Sequence, residues 1–272
     1  MTLYMKRNTI LLLALMMTPF IVAGGQQSMV PIVEMKTRGL LGGVQNGKWI
    51  DAVKSAARIP KDIELVLVGL DGVEEGDVTV AKHGEKEDVC EDFHRFEFEL
   101  ETGAGIAIGS SAKWNFTPRI PQTINVDNRT YKTAVADFLA KKGIARPVVK
   151  IQQAYRIDLD GDGRDEVLIS ATNYKKGLSS DAAVGDYSFV MLRTAKGKAV
   201  TDHLLKGDFI TRKVDFGAPT QNEISAIADL NGDGKMEIIL NGQYYEGEFA
   251  SAFEFRNGRI VEIKEFEIGC GV

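Results

Sequence analysis

The sequence predicts a mainly β protein of the α+β type, built from antiparallel β-sheets with one or two helices. Short runs of β-branched and aromatic residues recur along the chain, and turn signals such as Asn46-Gly47 and Asn257-Gly258 separate them. One long segment has the periodicity of an amphipathic helix. Two loops rich in aspartate and glycine each lead directly into a short apolar run that is typical of a strand.

The first half of the chain predicts a β-rich N-terminal domain over residues 26–125. Residues 93–100 alternate with period two, which indicates a half-buried strand. The other predicted elements are a hairpin that turns at Asn46-Gly47, a short helix over residues 50–57, and strands over residues 63–70, 77–82 and 106–108. Together these elements predict a small antiparallel β unit.

An amphipathic helix is predicted after Pro118 and Pro121, which mark a connector. Asp127 or Asn128 is placed to cap the N-terminus of this helix, and Gly143 is placed to end it. The apolar face of the helix consists of Tyr131, Ala134, Val135, Phe138 and Leu139. We expect this face to pack on a sheet.

The clearest chemistry lies in a first acidic loop, residues 158–166. Three carboxylates this close repel one another strongly unless a cation lies among them, and hard oxygen ligands in this number suit Ca²⁺. Gly161 and Gly163 can adopt the positive φ angles that fold the backbone around an ion. The predicted ligands are the side chains of this loop together with one backbone carbonyl, that of Arg164: Asp158, Asp160, Asp162, Arg164 and Glu166.

The same pattern returns 71 residues later in a second acidic loop, residues 229–237. Its predicted ligands are Asp229, Asn231, Asp233, Lys235 and Glu237. Two such loops in register form an internal repeat and predict two Ca²⁺ sites. Asn231 replaces one carboxylate, and calcium affinity follows the charge of the ligands, so the first loop should bind more tightly.

The EF-hand is the competing interpretation, but its twelve-residue loop ends in a bidentate glutamate and is flanked by helices. Here the twelfth positions are Ile169 and Leu240, which cannot ligate, and the flanking runs are apolar and typical of strands. The pattern D-x-[DN]-G-D-G-x-x-E running into a strand resembles the calcium loops of FG-GAP/VCBS repeats, the family that includes the blades of the integrin α propeller. The resemblance covers residues 148–272 and implies an exported, bacterial-type calcium-binding protein.

A second domain is predicted over residues 126–272, consisting of the helix and the two repeats. Each repeat has four predicted strands, which is the size of one propeller blade. The chain has room for about four blades, fewer than a complete seven-bladed propeller requires. We therefore expect two blade-like antiparallel sheets that pack with the N-terminal β unit and the helix.

Residues 1–25 are predicted to be a secretory signal peptide, in which Lys6 and Arg7 precede an apolar run that ends at small residues. This run is short for a membrane span, which needs about 20 apolar residues. An uncleaved anchor is the alternative. We expect an exported protein, whether periplasmic, on the cell surface or secreted, with no membrane span in the mature chain.

Charge and cysteine usage narrow the choice of partners. The formal net charge is −5, and loss of Lys6 and Arg7 with the signal peptide makes it more negative by two charges. This balance argues against a nucleic-acid surface, which needs a basic patch. Cys90 and Cys270 are the two cysteines of the chain. An oxidising compartment favours a Cys90–Cys270 disulfide, and two unpaired thiols are the alternative.

Catalytic motifs are weak in this sequence. His83, His94 and His203 lack zinc-site spacing, and a His/Cys/acid site around Cys90 has no supporting motif. The leading hypothesis is a binding or adhesion module that Ca²⁺ stabilises, with an extracellular protein or glycan as its partner. A Ca²⁺-stabilised secreted hydrolase or lyase is one alternative, and a structural envelope protein is the other.

Overall fold

The computed structural model describes residues 28–86, 89–90, 92–98 and 105–271. The predicted signal peptide, residues 1–25, lies outside these ranges, as does the end of the strand predicted over residues 93–100. Helices are α1 (Ala52–Ala56) and α2 (Arg129–Lys141). Strands are β1 (Val30–Glu34), β2 (Gly39–Gln45), β3 (Lys48–Asp51), β4 (Asp62–Gly69), β5 (Gly72–Lys86), β6 (His94–Phe98), β7 (Ile106–Gly109), β8 (Gln122–Thr123), β9 (Ile151–Ile157), β10 (Glu166–Asn173), β11 (Tyr187–Lys196), β12 (Ala199–Phe209), β13 (Gln221–Ala228), β14 (Glu237–Tyr244), β15 (Gly247–Arg256) and β16 (Arg259–Gly271).

The first seven strands form the N-terminal sheet, with strand order β1-β7-β4-β5-β6-β2-β3. A further antiparallel pairing of β1 with β2 closes six of these strands into a ring. The β2–β3 hairpin turns at Asn46 and Gly47, whose φ angles of 53° and 70° are both positive, as a two-residue type I′ turn requires. The predicted antiparallel β unit and its Asn-Gly hairpin are therefore confirmed.

The two loop-bearing repeats form two separate antiparallel sheets. The second sheet has the order β12-β11-β10-β9-β8, and the third sheet has the order β13-β14-β15-β16. In each sheet four consecutive strands are joined by hairpins, which is a blade-like arrangement. The described ranges contain no complete propeller, as the chain length predicted.

The three sheets and helix α2 pack as layers, and the third sheet lies between the other two. One face of the third sheet, which includes Ile239 and Ala252, shares a hydrophobic cluster with the N-terminal sheet. The opposite face, which includes Ile238 and Phe253, packs against Leu168 and its neighbours in the second sheet. Side chains alternate between the faces of a strand, so a sheet buried on both faces is apolar at nearly every position.

Helix α2 covers the outer face of the second sheet. Its buried residues Val135, Phe138 and Leu139 share a hydrophobic cluster with strands β9, β10 and β11. The carboxamide oxygen of Asn128 accepts a 2.9 Å hydrogen bond from the amide of Thr130, so Asn128 is the N-cap. Gly143 follows the helix with a φ of +90°. The prediction that this helix packs on a sheet is confirmed.

A disulfide joins Cys90 and Cys270 across 180 residues. Cys90 lies just before β6 in the N-terminal sheet, and Cys270 lies on β16, the last strand of the third sheet. The bridge therefore ties the end of the chain to its first half, and the alternative of two unpaired thiols is wrong. Neither helix of the described residues has the length and apolarity that a membrane crossing requires.

Strand β1 was not predicted, and it contains Pro31, which lacks an amide hydrogen and so cannot donate to a ladder. In the structure Pro31 pairs with Gly43 of β2, whereas the pairing of β1 with β7 begins only at Ile32. The proline therefore lies beyond the end of the second ladder, where a missing donor is tolerated.

Candidate metal centre

Each acidic loop is the turn of a β-hairpin within one sheet. The first loop, residues 158–166, connects β9 to β10, and the second loop, residues 229–237, connects β13 to β14. Glu166 and Glu237 are the first residues of β10 and β14, where they pair with Ile157 and Ala228. The sheet ladder therefore fixes the closing glutamate of each loop relative to its first aspartate.

The carboxylate of Asp158 organises the first loop. Its Oδ1 accepts hydrogen bonds from the amides of Gly161 at 2.7 Å and Asp162 at 3.1 Å, and its Oδ2 accepts from the amide of Gly163 at 2.9 Å. Gly161 and Gly163 have φ angles of 77° and 84°, which explains why the loop needs glycine at both positions. The main chain thus wraps around one carboxylate.

The second loop repeats this geometry. Asp229 accepts hydrogen bonds from the amides of Gly232 at 2.7 Å and Gly234 at 2.8 Å, and these glycines have φ angles of 79° and 80°. Asn231 accepts from the amide of Asp233 at 2.9 Å through its carboxamide oxygen. The internal repeat recognised in the sequence therefore extends to individual hydrogen bonds.

The closing glutamates are buried and point back into their loops. Oε2 of Glu166 accepts a 3.1 Å hydrogen bond from the amide of Leu159, and Oε2 of Glu237 accepts a 2.8 Å bond from the amide of Leu230. Only 6% of Glu166 and 2% of Glu237 is exposed. No lysine or arginine side chain of the described residues forms an ion pair with either glutamate. Each glutamate therefore lies in a poorly solvated position and has a backbone amide, but no cationic side chain, as its partner.

Three predicted ligands of the first loop converge. Carboxylate oxygens of Asp158, Asp160 and Glu166 all lie within 4.8 Å of one another. Burial, reinforced by the nearby aspartates, raises the pKa of Glu166 to about 7. A hard cation among these oxygens would favour the ionised form of Glu166 against both the burial and the repulsion, so the donor set fits Ca²⁺.

The second loop has the same electrostatic character with one charge fewer. Burial raises the pKa of Glu237 well above its ordinary value, and Asp233, Asp229 and Glu254 add to the effect. Burial also raises the pKa of Asp229. The neutral Asn231 occupies the position that corresponds to Asp160 of the first loop. Among the described residues, three acidic side chains converge in the first loop only, so an ion in the second loop is supported by the matching positions and hydrogen bonds.

The remaining predicted ligands lie outside the converging group, and all of them are exposed except Lys235, which is half-buried. Oδ1 of Asp162 accepts a 2.9 Å hydrogen bond from the amide of Arg164, and Oδ1 of Asp233 accepts an equal bond from the amide of Lys235. The Arg164 guanidinium is 4.0 Å from the Asp162 carboxylate. Arg164 and Lys235 were predicted to ligate through their carbonyl oxygens, and their side chains need not enter the site.

Sequence reasoning missed a contribution from residues 114–119, which lie in and just before the connector. The amide of Asp229 donates to the carbonyl of Phe116 at 2.7 Å, and the indole nitrogen of Trp114 donates to the carbonyl of Asp229 at 2.9 Å. Arg119 donates to the carbonyls of Asp158 in the first loop and Gly234 in the second. Prolines at 118 and 121 restrict the backbone on either side of Arg119. These prolines were the feature of the sequence that could have drawn attention to Arg119.

The His/Cys/acid site considered around Cys90 has no free thiol to act as a nucleophile, because Cys90 is in the disulfide. His203 lies on β12, where its Nε2 is 3.3 Å from the hydroxyl of Thr194, and it is not part of either loop.

The chain matches no protein-family model, no curated protein and no solved structure. The assignment of the repeats to the FG-GAP/VCBS class therefore stays a prediction from the two loop motifs.

Proposed function

We propose that the protein is an exported calcium-binding protein in which each acidic loop holds one Ca²⁺ within an FG-GAP/VCBS-like repeat. The observation that carries this proposal is the convergence of Asp158, Asp160 and Glu166 oxygens within 4.8 Å, with Glu166 buried. Their repulsion favours a cation, and an all-oxygen donor set suits Ca²⁺. The recurrence of the same hydrogen bonds in the second loop supports a second site.

The proposed role of the metal is to stabilise a binding or adhesion module. All predicted ligands of a site come from one hairpin turn, so the ion neutralises and rigidifies that turn and adds stability by mass action. The partner would be an extracellular protein or a glycan. The Cys90–Cys270 disulfide supports an oxidising, extracytoplasmic location.

Calorimetric titration of the calcium-stripped mature protein tests the metal proposal. We expect two Ca²⁺ per chain, with Asp158→Asn removing one site and Asp229→Asn removing the other. The matched control is Asp137→Asn, because Asp137 is an exposed aspartate on helix α2 outside both loops. Absence of calcium heats in the parent protein would overturn the proposal.

The binding role is tested on a glycan array and on extracellular surface proteins, each with and without Ca²⁺. We expect retention that depends on Ca²⁺ and is lost when Asp158→Asn and Asp229→Asn are combined. Equal retention with and without Ca²⁺ would show that partner binding does not depend on the metal. Chemical turnover of a retained glycan would replace the module proposal with the hydrolase or lyase alternative.

A further inference from the structure

One arginine of the connector contacts both acidic loops at once. The guanidinium of Arg119 donates from Nε to the carbonyl oxygen of Asp158 at 2.5 Å, and from Nη2 to the carbonyl oxygens of Leu159 at 3.2 Å and Gly234 at 2.7 Å. Asp158 and Leu159 are the first two residues of the first loop, and Gly234 is the sixth residue of the second. Arg119 is therefore a side-chain bridge between the loops.

We propose that Arg119 is a positioning residue that couples ion binding at the first loop to ion binding at the second. This inference rests on the proposed calcium sites and goes beyond them, since two independent sites would need no bridge. Each carbonyl that Arg119 holds belongs to a residue of a loop whose geometry an ion would fix. Ordering of one loop by an ion therefore orders the bridge, which in turn orders the other loop.

A planar guanidinium is suited to this task. It offers five donors in a rigid fork, whereas a lysine ammonium is a point charge on a flexible stem. The backbone that carries Arg119 is also restricted, because Pro118 and Pro121 limit the conformations of the connector. Arg119 itself is half-buried, so its bonds are partly shielded from water.

The direction in which calcium affinity changes in Arg119 variants distinguishes a positioning role from a simple effect of charge. Arg119 carries a positive charge beside two sites for cations, so simple repulsion predicts that Arg119→Gln tightens calcium binding. A positioning role predicts that Arg119→Gln weakens calcium binding, because the loops lose the group that holds their carbonyls in place. Arg119→Lys keeps the charge but replaces the planar fork with a single ammonium nitrogen on a flexible stem. A positioning role therefore predicts that Arg119→Lys behaves like Arg119→Gln.

Trp114 provides a local reporter of the second loop. Its indole nitrogen donates to the carbonyl of Asp229, and a Cβ at Gly232 would lie 3.1 Å from its ring. The sequence contains two tryptophans. The other, Trp49, packs on Phe266, and Trp49→Phe leaves Trp114 as the sole indole emitter. Calcium binding at the second loop can then be followed through Trp114 fluorescence.

The experiment is a double-mutant cycle in the full mature chain that carries Trp49→Phe. Asp158→Asn disables the first loop, and the calcium affinity of the second loop is measured with and without Arg119→Gln. We expect Asp158→Asn to weaken the second loop on the order of tenfold when Arg119 is present, within the usual range of coupling between sites. In the Arg119→Gln background, Asp158→Asn should weaken the second loop only about twofold. We attribute this residual coupling to the backbone contacts between the loops.

Arg119→Lys repeats the cycle with the charge retained, and it replaces Arg119→Gln if that variant does not fold. Arg58→Gln is the matched control, since Arg58 is exposed beside α1 and contacts neither loop. Equal factors with and without Arg119, or tighter binding in Arg119→Gln, would overturn the coupling and leave the calcium sites intact. Absence of any calcium response in the parent would overturn the coupling together with the proposed function.

Discussion

The main-chain amide of Met236 donates a 2.8 Å hydrogen bond to the carbonyl oxygen of Leu159, which joins the second acidic loop to the first. The side chains of both residues are buried in the hydrophobic cluster between the second and third sheets. The acidic turns are therefore continuous with the apolar layer that holds the two sheets together. We therefore expect a change in charge at either turn to affect the packing of these two sheets.

This continuity predicts that calcium stabilises the whole chain. Ion binding to the folded state alone adds about 2.7 kcal/mol per site when free Ca²⁺ is a hundred times the Kd. We expect the unfolding midpoint to rise with Ca²⁺ and to fall when a chelator is added, as measured by circular dichroism during heating. The double variant Asp158→Asn with Asp229→Asn should be insensitive to both treatments. A parent protein whose midpoint ignores the chelator would contradict the prediction.

The two loops should differ in affinity. The first loop offers the carboxylates of Asp158, Asp160, Asp162 and Glu166, whereas Asn231 leaves the second with one negative charge fewer. We expect calorimetry to resolve a tighter first site, because affinity follows ligand charge. Asn231→Asp should tighten the second site, and Asp160→Ala should weaken the first. Equal affinities in the parent, or no response to Asn231→Asp, would show that burial outweighs charge.

Local patterns predicted the fold well where one stretch of sequence contains the whole signal. The Asn46-Gly47 turn, helix α2 and the strands that leave both loops all follow from residues adjacent in sequence. Predicting strand β1 would have required knowing that Pro31 lies outside the ladder between β1 and β7. No local pattern contains that information. The loops were found because their donors lie within nine residues. Arg119 was missed because its contacts span 39 to 115 residues.

Breaking the disulfide should lower stability substantially. The Cys90–Cys270 bridge closes a loop of 180 residues, and the chain-entropy model gives an upper figure of roughly 5 kcal/mol for such a loop. We expect the double variant Cys90→Ser with Cys270→Ser to unfold at lower urea concentration than the parent. The parent with and without a reductant is the internal comparison, and reductant should leave the serine variant unaffected. Identical urea midpoints for all forms would refute this prediction.

The ion-free protein should become more stable on mild acidification. Burial and the neighbouring aspartates raise the pKa of Glu166 to about 7 in the folded state, above its ordinary value of 4.5. Between these values the folded state binds more protons than the unfolded state, so the free energy of unfolding falls as the pH rises. The raised pKa of Glu237 acts in the same direction.

The calcium-loaded protein should show the opposite trend, because protons compete with the ion for Glu166 and Glu237. The measurement is the urea midpoint between about pH 5 and about pH 8, for calcium-stripped and calcium-saturated protein. Glu166→Gln should flatten the slope of the stripped protein, since an amide retains an acceptor for the Leu159 amide but does not titrate. Asp137→Asn, on the exposed face of helix α2, should leave both slopes unchanged. A stripped protein that loses stability as the pH falls from about 7 to about 5 would show that the buried glutamates do not dominate its acid response.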